Sequence, residues 1–445
     1  MSEDLASILQ ESRRLRAHLE AMTQQLHRLR EANAALRQKL IEQNRILKEQ
    51  LATVEREIAH IREENTALLA ALGEELAQEV PPENSAVIPT PTVQQAAHPE
   101  SQAKLKVAAI IPAHNEDRSI APCLESLVHQ TYPIEKIIVV NDGSTDWTEL
   151  VVAHLSQKYP QIECITKQAD GTLRAGAINT ALKALFQRDY DLVLIGDADA
   201  VFAPDLVEQA VRMFEKDEKI GGVCSAVELQ GQGLLHRLQK LEYGGFNADR
   251  VATWQNILII HGVCGVYRLE ALRQVKGYRV GHLIEDYDLT LRLKKKGWKA
   301  VFNPKMRVIT HSVPSWRQLA RQRIRWYRGG VQVLLDHGIN RFTALDSFNH
   351  VHFLLLLAVI SLIVGLGLQT TGRWTPQLLW HPIPIAVFVV GWLGSLIQLK
   401  FVRGLDWKDV LIRVVALPEL FYYTFLSLLR LYSYALELVS ARKRW

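Results

Sequence analysis

Two aspartates one residue apart, Asp197 and Asp199, directly follow the apolar run DLVLIG (191–196). Carboxylates so spaced at a strand end present oxygen ligands to a hard divalent cation. A cation held by one or two carboxylates usually completes its shell with substrate phosphates. A nucleotide diphosphate therefore suits the site, with Mg2+ or Mn2+ as the metal. Asp-x-Asp pairs also recur in ordinary turns, and the position after an apolar run gives this one its weight. His114-Asn115-Glu116 and Asn141-Asp142-Gly143-Ser144 follow apolar runs in the same way. Farther on, LIEDYDLTLRLKKKGW (283–298) opens an amphipathic helix with Glu285 and Asp286 in its first turn. The positive end of a helix favours anions there, whether they cap it or react. SWRQLARQRIRWYRGG (315–330) sets Arg317, Arg321, Arg323, Arg325 and Arg328 among Trp316, Trp326 and Tyr327. It reads as a solvated basic face, as a membrane-surface helix, or as a face on which Arg325 neutralises a diphosphate and Trp326 offers a ring to a sugar. Neither a P-loop nor a Gly-x-Gly-x-x-Gly turn follows the first strand, which argues against P-loop and dinucleotide enzymes.

These residues need a frame. The runs VAAIIP (107–112), KIIVV (136–140), IECIT (162–166) and DLVLIG alternate with helical stretches at 119–130, 146–158, 174–187 and 204–216. That alternation predicts an α/β domain with a mostly parallel sheet and helices on both faces. In such sheets ligands bind beyond the carboxyl ends of the strands, where the polar clusters fall.

The ordered set AIIPAHNE, VVNDGSTD, Asp197-Ala198-Asp199, Glu285-Asp286 and Gln322-Arg323-Ile324-Arg325-Trp326 resembles the glycosyltransferase family 2 membrane synthases, which include cellulose, chitin, hyaluronan and poly-N-acetylglucosamine synthases. The resemblance covers about residues 106 to 337. It implies a GT-A-type nucleotide-sugar-binding domain at 104–313, and Q-x-x-R-W on amphipathic interface helices at 314–345. Asp142, with Glu116 nearby, would contact the nucleobase. Asp197 would face the nucleotide and share the metal with Asp199. Asp286, flanked by Glu285, would be the general base of an inverting transfer. Arg325 would offset charge on the leaving group, Gln322 and Trp326 would mark the acceptor and leaving-group end, and Arg323 would lie on the substrate side. GVCGVYR (262–268) occupies the place of the family's Gly-rich strand and turn. One departure stands out: where the family often has Gly-Gly-Lys-x-x-Ala-x-Asn, this chain reads GTLRAGAIN (171–179), with Arg174 in place of Lys as the donor-side cation. Arg keeps the charge and changes its donor geometry.

The flanks differ from this middle. From Leu5 to Leu72, apolar residues fall on alternating steps of three and four, with a stutter at Leu36-Leu40-Asn44. This heptad seam predicts a coiled coil over 1–80. Asn33, Asn44 and Asn65 take a positions, which favours a parallel homodimer through residues 5–72 over a lone surface helix. Residues 81–103 have the Pro-, Gln- and Ser-rich composition of a linker. At the other end no Asp or Glu occurs between His350 and Lys400. The uncharged stretches 351–368 and 383–399 predict transmembrane helices, with 410–439 as a third span, a re-entrant pair or an interfacial helix. Lys400, Arg403 and Lys408 place the following loop in the cytosol. The N-terminus lacks a signal peptide, so the expectation is a multi-pass protein of the cell (inner) membrane with a cytosolic N-terminus and catalytic domain.

The net charge of +5, from 52 Lys+Arg against 47 Asp+Glu, is small for a nucleic-acid binder, and none is expected as a partner. Cys123, Cys164, Cys224 and Cys264 lack a metal-ligand spacing and read as free, buried thiols. The expected partners are a nucleotide-sugar donor, a polysaccharide or lipid-linked acceptor, and the membrane. UDP-N-acetylglucosamine is the preferred donor because RQRIRWYRGG looks most like the poly-N-acetylglucosamine synthases. The function expected is inverting transfer onto a growing β-linked polysaccharide. Single-sugar transfer to a lipid and a catalytically silent scaffold acting through the coiled coil are the alternatives.

Overall fold

The computed structural model describes residues 104–168, 170–355, 358 and 382–442. The predicted coiled coil, the linker and most of the first predicted span lie outside these residues.

An eight-stranded sheet runs in the order β3-β2-β1-β4-β7-β6-β8-β5. Its strands are β1 Val107–Ala113, β2 Lys136–Asp142, β3 Ile162–Lys167, β4 Leu192–Gly196, β5 Val201–Phe202, β6 Ile220–Gln230, β7 Cys264–Arg268 and β8 Lys299–His311. The period of two in the strands sorts their side chains onto two faces. Val107, Ala109, Ile111, Ile137, Val139, Leu192 and Leu194 enter one core with α1 (Ile120–Val128), α2 (Thr148–Lys158) and α4 (Leu206–Lys216). Ala108, Ile110, Ile138, Val140, Val193 and Ile195 enter a second core with α3 (Leu173–Leu185), α6 (Leu269–Gln274) and α7 (Glu285–Lys295). The central strands β1, β2 and β4 are buried on both faces and carry unbroken apolar runs, and they, the edge strand β3 and their helices fall within two residues of the sequence expectation.

The sheet is mixed, and the expectation of a mostly parallel one is corrected on its far side. β3, β2, β1 and β4 are parallel neighbours. β7 then runs antiparallel to both β4 and β6, and β5 antiparallel to β8. β7 is reached through the 20-residue helix α5 (Gly233–Ala252) and the loop after it, so its first residue, Cys264, pairs with Gly196 at the carboxyl end of β4. The reversal brings the 261–263 turn to the edge where the parallel strands end.

After β8 the chain is helical: α8 (Trp316–His337), α9 (344–355), α10 (Pro382–Gln398), α11 (Trp407–Val415) and α12 (Leu417–Arg442). Ser315 caps α8 by accepting from Gln318 N–H. Asp406 and Asp409 form a reciprocal capping box on α11. The predicted span 383–399 is a helix of 17 residues, and the stretch 410–439 is divided at Ala416, whose φ of 62° takes the left-handed conformation. Among the described residues no single helix is long and apolar enough to cross a membrane, but α11 and α12 together reach the length at a bend of 72°.

Candidate active site

The loops after β1 and β2 are stapled to each other. Asn115 sits at φ 59°, its N–H donating to Ser144 Oγ at 3.0 Å while its Oδ1 accepts from Thr145 N–H at 2.8 Å. Glu116 N–H donates to Thr148 Oγ1 at 2.7 Å. Asp142 ends β2 with its carboxylate 3.2 Å from Lys167 Nζ, and Gly143 at φ 67° turns the chain after it. Asn and Gly are the residue types that tolerate this left-handed backbone.

Arg174, in the first turn of α3, lies at the centre of the cleft. Its Nε is 2.9 Å from Asp197 Oδ1 and its Nη1 2.9 Å from Glu285 Oε1, and its Nη2 donates to Gly262 O at 2.7 Å. A flat guanidinium can serve three partners in three directions, which an ammonium on the same backbone cannot do in one plane. A Cβ on residue 262 would lie 3.3 Å from the guanidinium carbon, so glycine leaves Arg174 its place. Burial would lower the Arg174 pKa, but the Asp197 and Glu285 carboxylates outweigh it and push it up.

Gly262 faces both ways. Its carbonyl accepts from Arg174, and its N–H donates to Asp286 Oδ2 at 2.9 Å. Tyr287 N–H donates to Asp286 Oδ1 at 2.9 Å, so backbone groups fix both oxygens. Burial, and then the neighbouring Glu285 charge, push the Asp286 carboxyl up to about 7 against the pull of Arg174 and the two N–H donors. A carboxylate that binds its proton this well and is held this firmly is suited to take a proton near neutral pH.

Asp197 N–H donates to Val263 O at 3.1 Å, joining the aspartate pair to the same turn. Among the described residues no cationic side chain pairs with Asp199; Thr310 Oγ1 is 3.4 Å away. Burial, Asp197 and Glu116 raise its carboxyl to about 6. A half-buried carboxylate beside a second one, without a cationic partner among the described residues, is a donor set that fits a hard divalent ion. Among the described residues no group of three or more ligating side chains surrounds one point. The rest of such an ion's shell would fall to oxygens of the substrate.

The structure thus brings Glu116, Arg174, Asp197, Asp199, Glu285 and Asp286 to one edge, with Asp142 on the adjoining strand end. The basic helix α8 reaches this edge from behind. A Cβ at Gly329 would sit 2.3 Å from Ile284 Cγ1 and 3.0 Å from Leu283 Cβ, so the glycine lets α8 press on the segment that leads into Glu285 and Asp286. Arg325 is exposed, with no ion-pair partner among the described residues, and Trp326 is half-buried. Arg323 departs from the expectation of a substrate-side residue. It is 1 % exposed and ion-paired with Glu242, because a position two residues from Arg325 is turned about 200° around a helix. Sequence reasoning missed Glu242. It also missed Asn179's hold on the Tyr278 peptide, where Asn179 Oδ1 accepts from the N–H and its Nδ2 donates to the C=O, both at 2.8 Å. Asn179 lies within the GTLRAGAIN stretch, whose last position carried the only available signal. No signal in its own neighbourhood marks Glu242.

Residues 104–329, half of the chain, match the family model described as "Glycosyltransferase like family 2". The chain belongs to glycosyltransferase family 2. This family member is 30% identical over 307 residues to the uncharacterised glycosyltransferase YaiP of Escherichia coli, a match covering 66% of this chain and 73% of that one. It is 25% identical over 233 residues to the poly-beta-1,6-N-acetyl-D-glucosamine synthase of Staphylococcus epidermidis, covering 52% and 55%. The chain thus spans little more than half the length of that synthase. Among solved structures, the Pyrobaculum calidifontis mannosyltransferase PcManGT, in complex with GDP-Man and Mn2+, superposes with a TM-score of 0.52 at 19% identity, over 76% of this chain and 88% of that one. At that identity the likeness speaks for the fold, which is GT-A-like. The family 2 protein is a glycosyltransferase.

Proposed function

We propose that this glycosyltransferase carries a sugar from UDP-N-acetylglucosamine, with inversion, onto a growing β-linked polysaccharide at the cytosolic face of a membrane. The observation that carries the reaction type is Asp286, buried, oriented by two backbone N–H groups and holding its proton to about 7. In a single displacement the acceptor hydroxyl oxygen forms a bond to the anomeric carbon. The bond from that carbon to the diphosphate oxygen breaks, UDP leaves with the electron pair, and the hydroxyl proton passes to Asp286. Asp199 and Asp197 would hold Mg2+ or Mn2+, which supplies positive charge to the departing diphosphate. Arg174 fixes the turn that orients Asp286, and exposed Arg325 can add charge against the diphosphate. Glu116 and Asp142 sit at the ends of β1 and β2, where a nucleoside would lie in a sheet of this kind.

The donor and product rest on similarity to the staphylococcal synthase. The membrane reading rests on the C-terminal helices, where Leu411, Leu417, Phe421 and Leu428 are exposed while Arg413 and Glu419 pair with each other, 2.7 Å apart. Large apolar side chains outside and charges inside match a lipid-facing surface. A homodimer through residues 5–72 completes the reading.

The test is UDP release by the detergent-purified full chain across a panel of UDP-sugars with Mg2+ or Mn2+, followed by sizing of the glycan. Turnover of UDP-N-acetylglucosamine into a long product is the expected result. Release without polymer would shift the assignment to single-sugar transfer onto a lipid. UDP binding without release or transfer would point to a scaffold.

A further inference from the structure

The Q-x-x-R-W stretch has a support that the reaction chemistry leaves unexplained. Glu242, midway along α5 and 6 % exposed, takes Arg323 in a two-pronged grip: Arg323 Nη2 donates to Oε2 at 2.5 Å and Arg323 Nε to Oε1 at 3.3 Å. Tyr422 of α12, fully buried, donates its hydroxyl to the same Oε2 at 2.6 Å. Arg323 passes this fixation on. Its Nη1 donates to Gln322 Oε1 at 2.5 Å, and its guanidinium lies 4.0 Å from the centre of the Trp326 ring.

Each contact settles a degree of freedom. An amide whose oxygen accepts from a guanidinium must turn its NH2 the other way, so Arg323 sets Gln322 as a donor toward the outside. A cation over one face of an indole holds that face and leaves the other for a ligand. A guanidinium gripped at two nitrogens by one carboxylate cannot rotate to release either. We propose that Glu242 is the positioning residue of Gln322 and Trp326 for the acceptor, and that Tyr422 makes this positioning depend on the docking of α12. The proposal rests on the reading of Gln322 and Trp326 as the acceptor end of the site.

The seating of α12 on α8 agrees with this. Trp316, at the start of α8, packs edge-on against Phe421 and Phe425, with ring centres 5.8 and 5.1 Å apart. Near the other end Glu437 accepts from Arg328 Nε at 3.1 Å and from Gln332 Nε2 at 3.2 Å. The two helices therefore run in the same direction, and Tyr422, which reaches Glu242, sits among the residues that pack on Trp316. A buried carboxylate that serves side chains from two helices ties the position of one to the other.

The experiment uses the full chain in detergent with Glu242→Gln, Tyr422→Phe and Trp326→Ala. UDP release from UDP-N-acetylglucosamine is followed with water alone and with a β-linked N-acetylglucosamine pentasaccharide, and rates are expressed per Mn2+-dependent UDP-binding site. For Glu242→Gln we expect UDP affinity within twofold of wild type, release to water within threefold, and kcat/KM for the pentasaccharide at least tenfold lower; for Trp326→Ala we expect a loss of at least the same size in kcat/KM for the pentasaccharide. For Tyr422→Phe we expect about a threefold loss in the same parameter alone. Unchanged pentasaccharide kinetics per site in Glu242→Gln, with Trp326→Ala impaired, would overturn the proposal and leave the acceptor reading standing. If Trp326→Ala is itself unimpaired, the acceptor reading fails and the proposal with it. If Glu242→Gln yields no UDP-binding protein, Tyr422→Phe decides, and wild-type acceptor kinetics there overturn the tie.

Discussion

At the strand-end cleft a single guanidinium, that of Arg174, serves both Asp197 and Glu285, while Asp199 and Asp286 form no ion pair among the described residues. In the C-terminal helices each buried carboxylate has one: Asp409 has Arg237 and Lys240, Glu419 has Arg413, and Glu437 has Arg328. The second region offsets the burial of every one of these acids by pairing, whereas the first pairs only two of its four. Asp199 and Asp286 there hold their protons to higher pH and are left ready to take a metal or a proton. The second uses charge to fix one helix on another and has nothing left to react. Which region a buried acid belongs to is decided by its partners, not by its burial.

The sharpest way to break this contrast is Asp286→Asn. Transfer should fall about 10³-fold or more, with UDP affinity within threefold, because a positioned base contributes on the order of 10²–10⁴ and the carboxamide keeps the shape. The folded pKa of Asp286 lies above the usual carboxylate value, so the folded protein holds a proton that the unfolded chain has released, and stability falls as pH rises from about 4 to about 7. Asn removes that pH dependence but can accept from only one of the two N–H groups, so the wild-type thermal midpoint should fall more than the Asn one between about pH 5 and pH 8. Parallel pH dependences would show that the cleft is not strained by charge.

The matching change in the helical layer is Asp409→Asn. Asp409 is fully buried, with Lys240 Nζ and Arg237 Nη1 2.6 and 2.7 Å away, and its loss strands the buried Lys240 and leaves Arg237 to Asp406 alone. The expected cost is about 3–5 kcal/mol, read as earlier thermal or denaturant unfolding, with the per-site transfer rate of the surviving fold unchanged. Arg174→Lys should cost less stability than Asp409→Asn, about 1.5–3 kcal/mol for each charged hydrogen bond left unmade, and should lower kcat/KM by roughly 10–100-fold because those bonds hold the turn that orients Asp286. The smallest effect is the pH profile. Below about 7 the ionised fraction of Asp286 drops tenfold per unit, so kcat/KM should climb with unit slope to a plateau above that pH. A flat profile from pH 5.5 to 8 would remove Asp286 from the proton path.

Much of this contrast was legible in the residues. Unbroken apolar runs gave the four parallel strands, and the acids after them mark the cleft, because side-chain type and strand end travel together along the chain. Strand direction does not. CGVYR reads the same whichever way it lies, so the reversal of β7, and with it the meeting of Gly262 with Asp286, had no local mark. The arginines of α8 read as one basic patch, although Arg321 and Arg325 share a face by their spacing of four and Arg323 lies opposite. Glu242 meets Arg323 across 81 positions of sequence, and a lone Glu in a helix looks like surface until its partner is known. Asn33, Asn44 and Asn65 of the predicted heptad seam lie outside the described residues.

The three partners of Arg174 lie 23, 88 and 111 residues along the chain. Each contact closes a loop that passes through other strands of the sheet, and closing long loops comes after the local pairings that shorten them. The cleft is therefore a property of the assembled sheet as a whole. A fragment ending before Glu285 would carry the acids of the parallel half and lack both Glu285 and Asp286, and with them the contacts through which Arg174 and Gly262 join the two halves of the cleft.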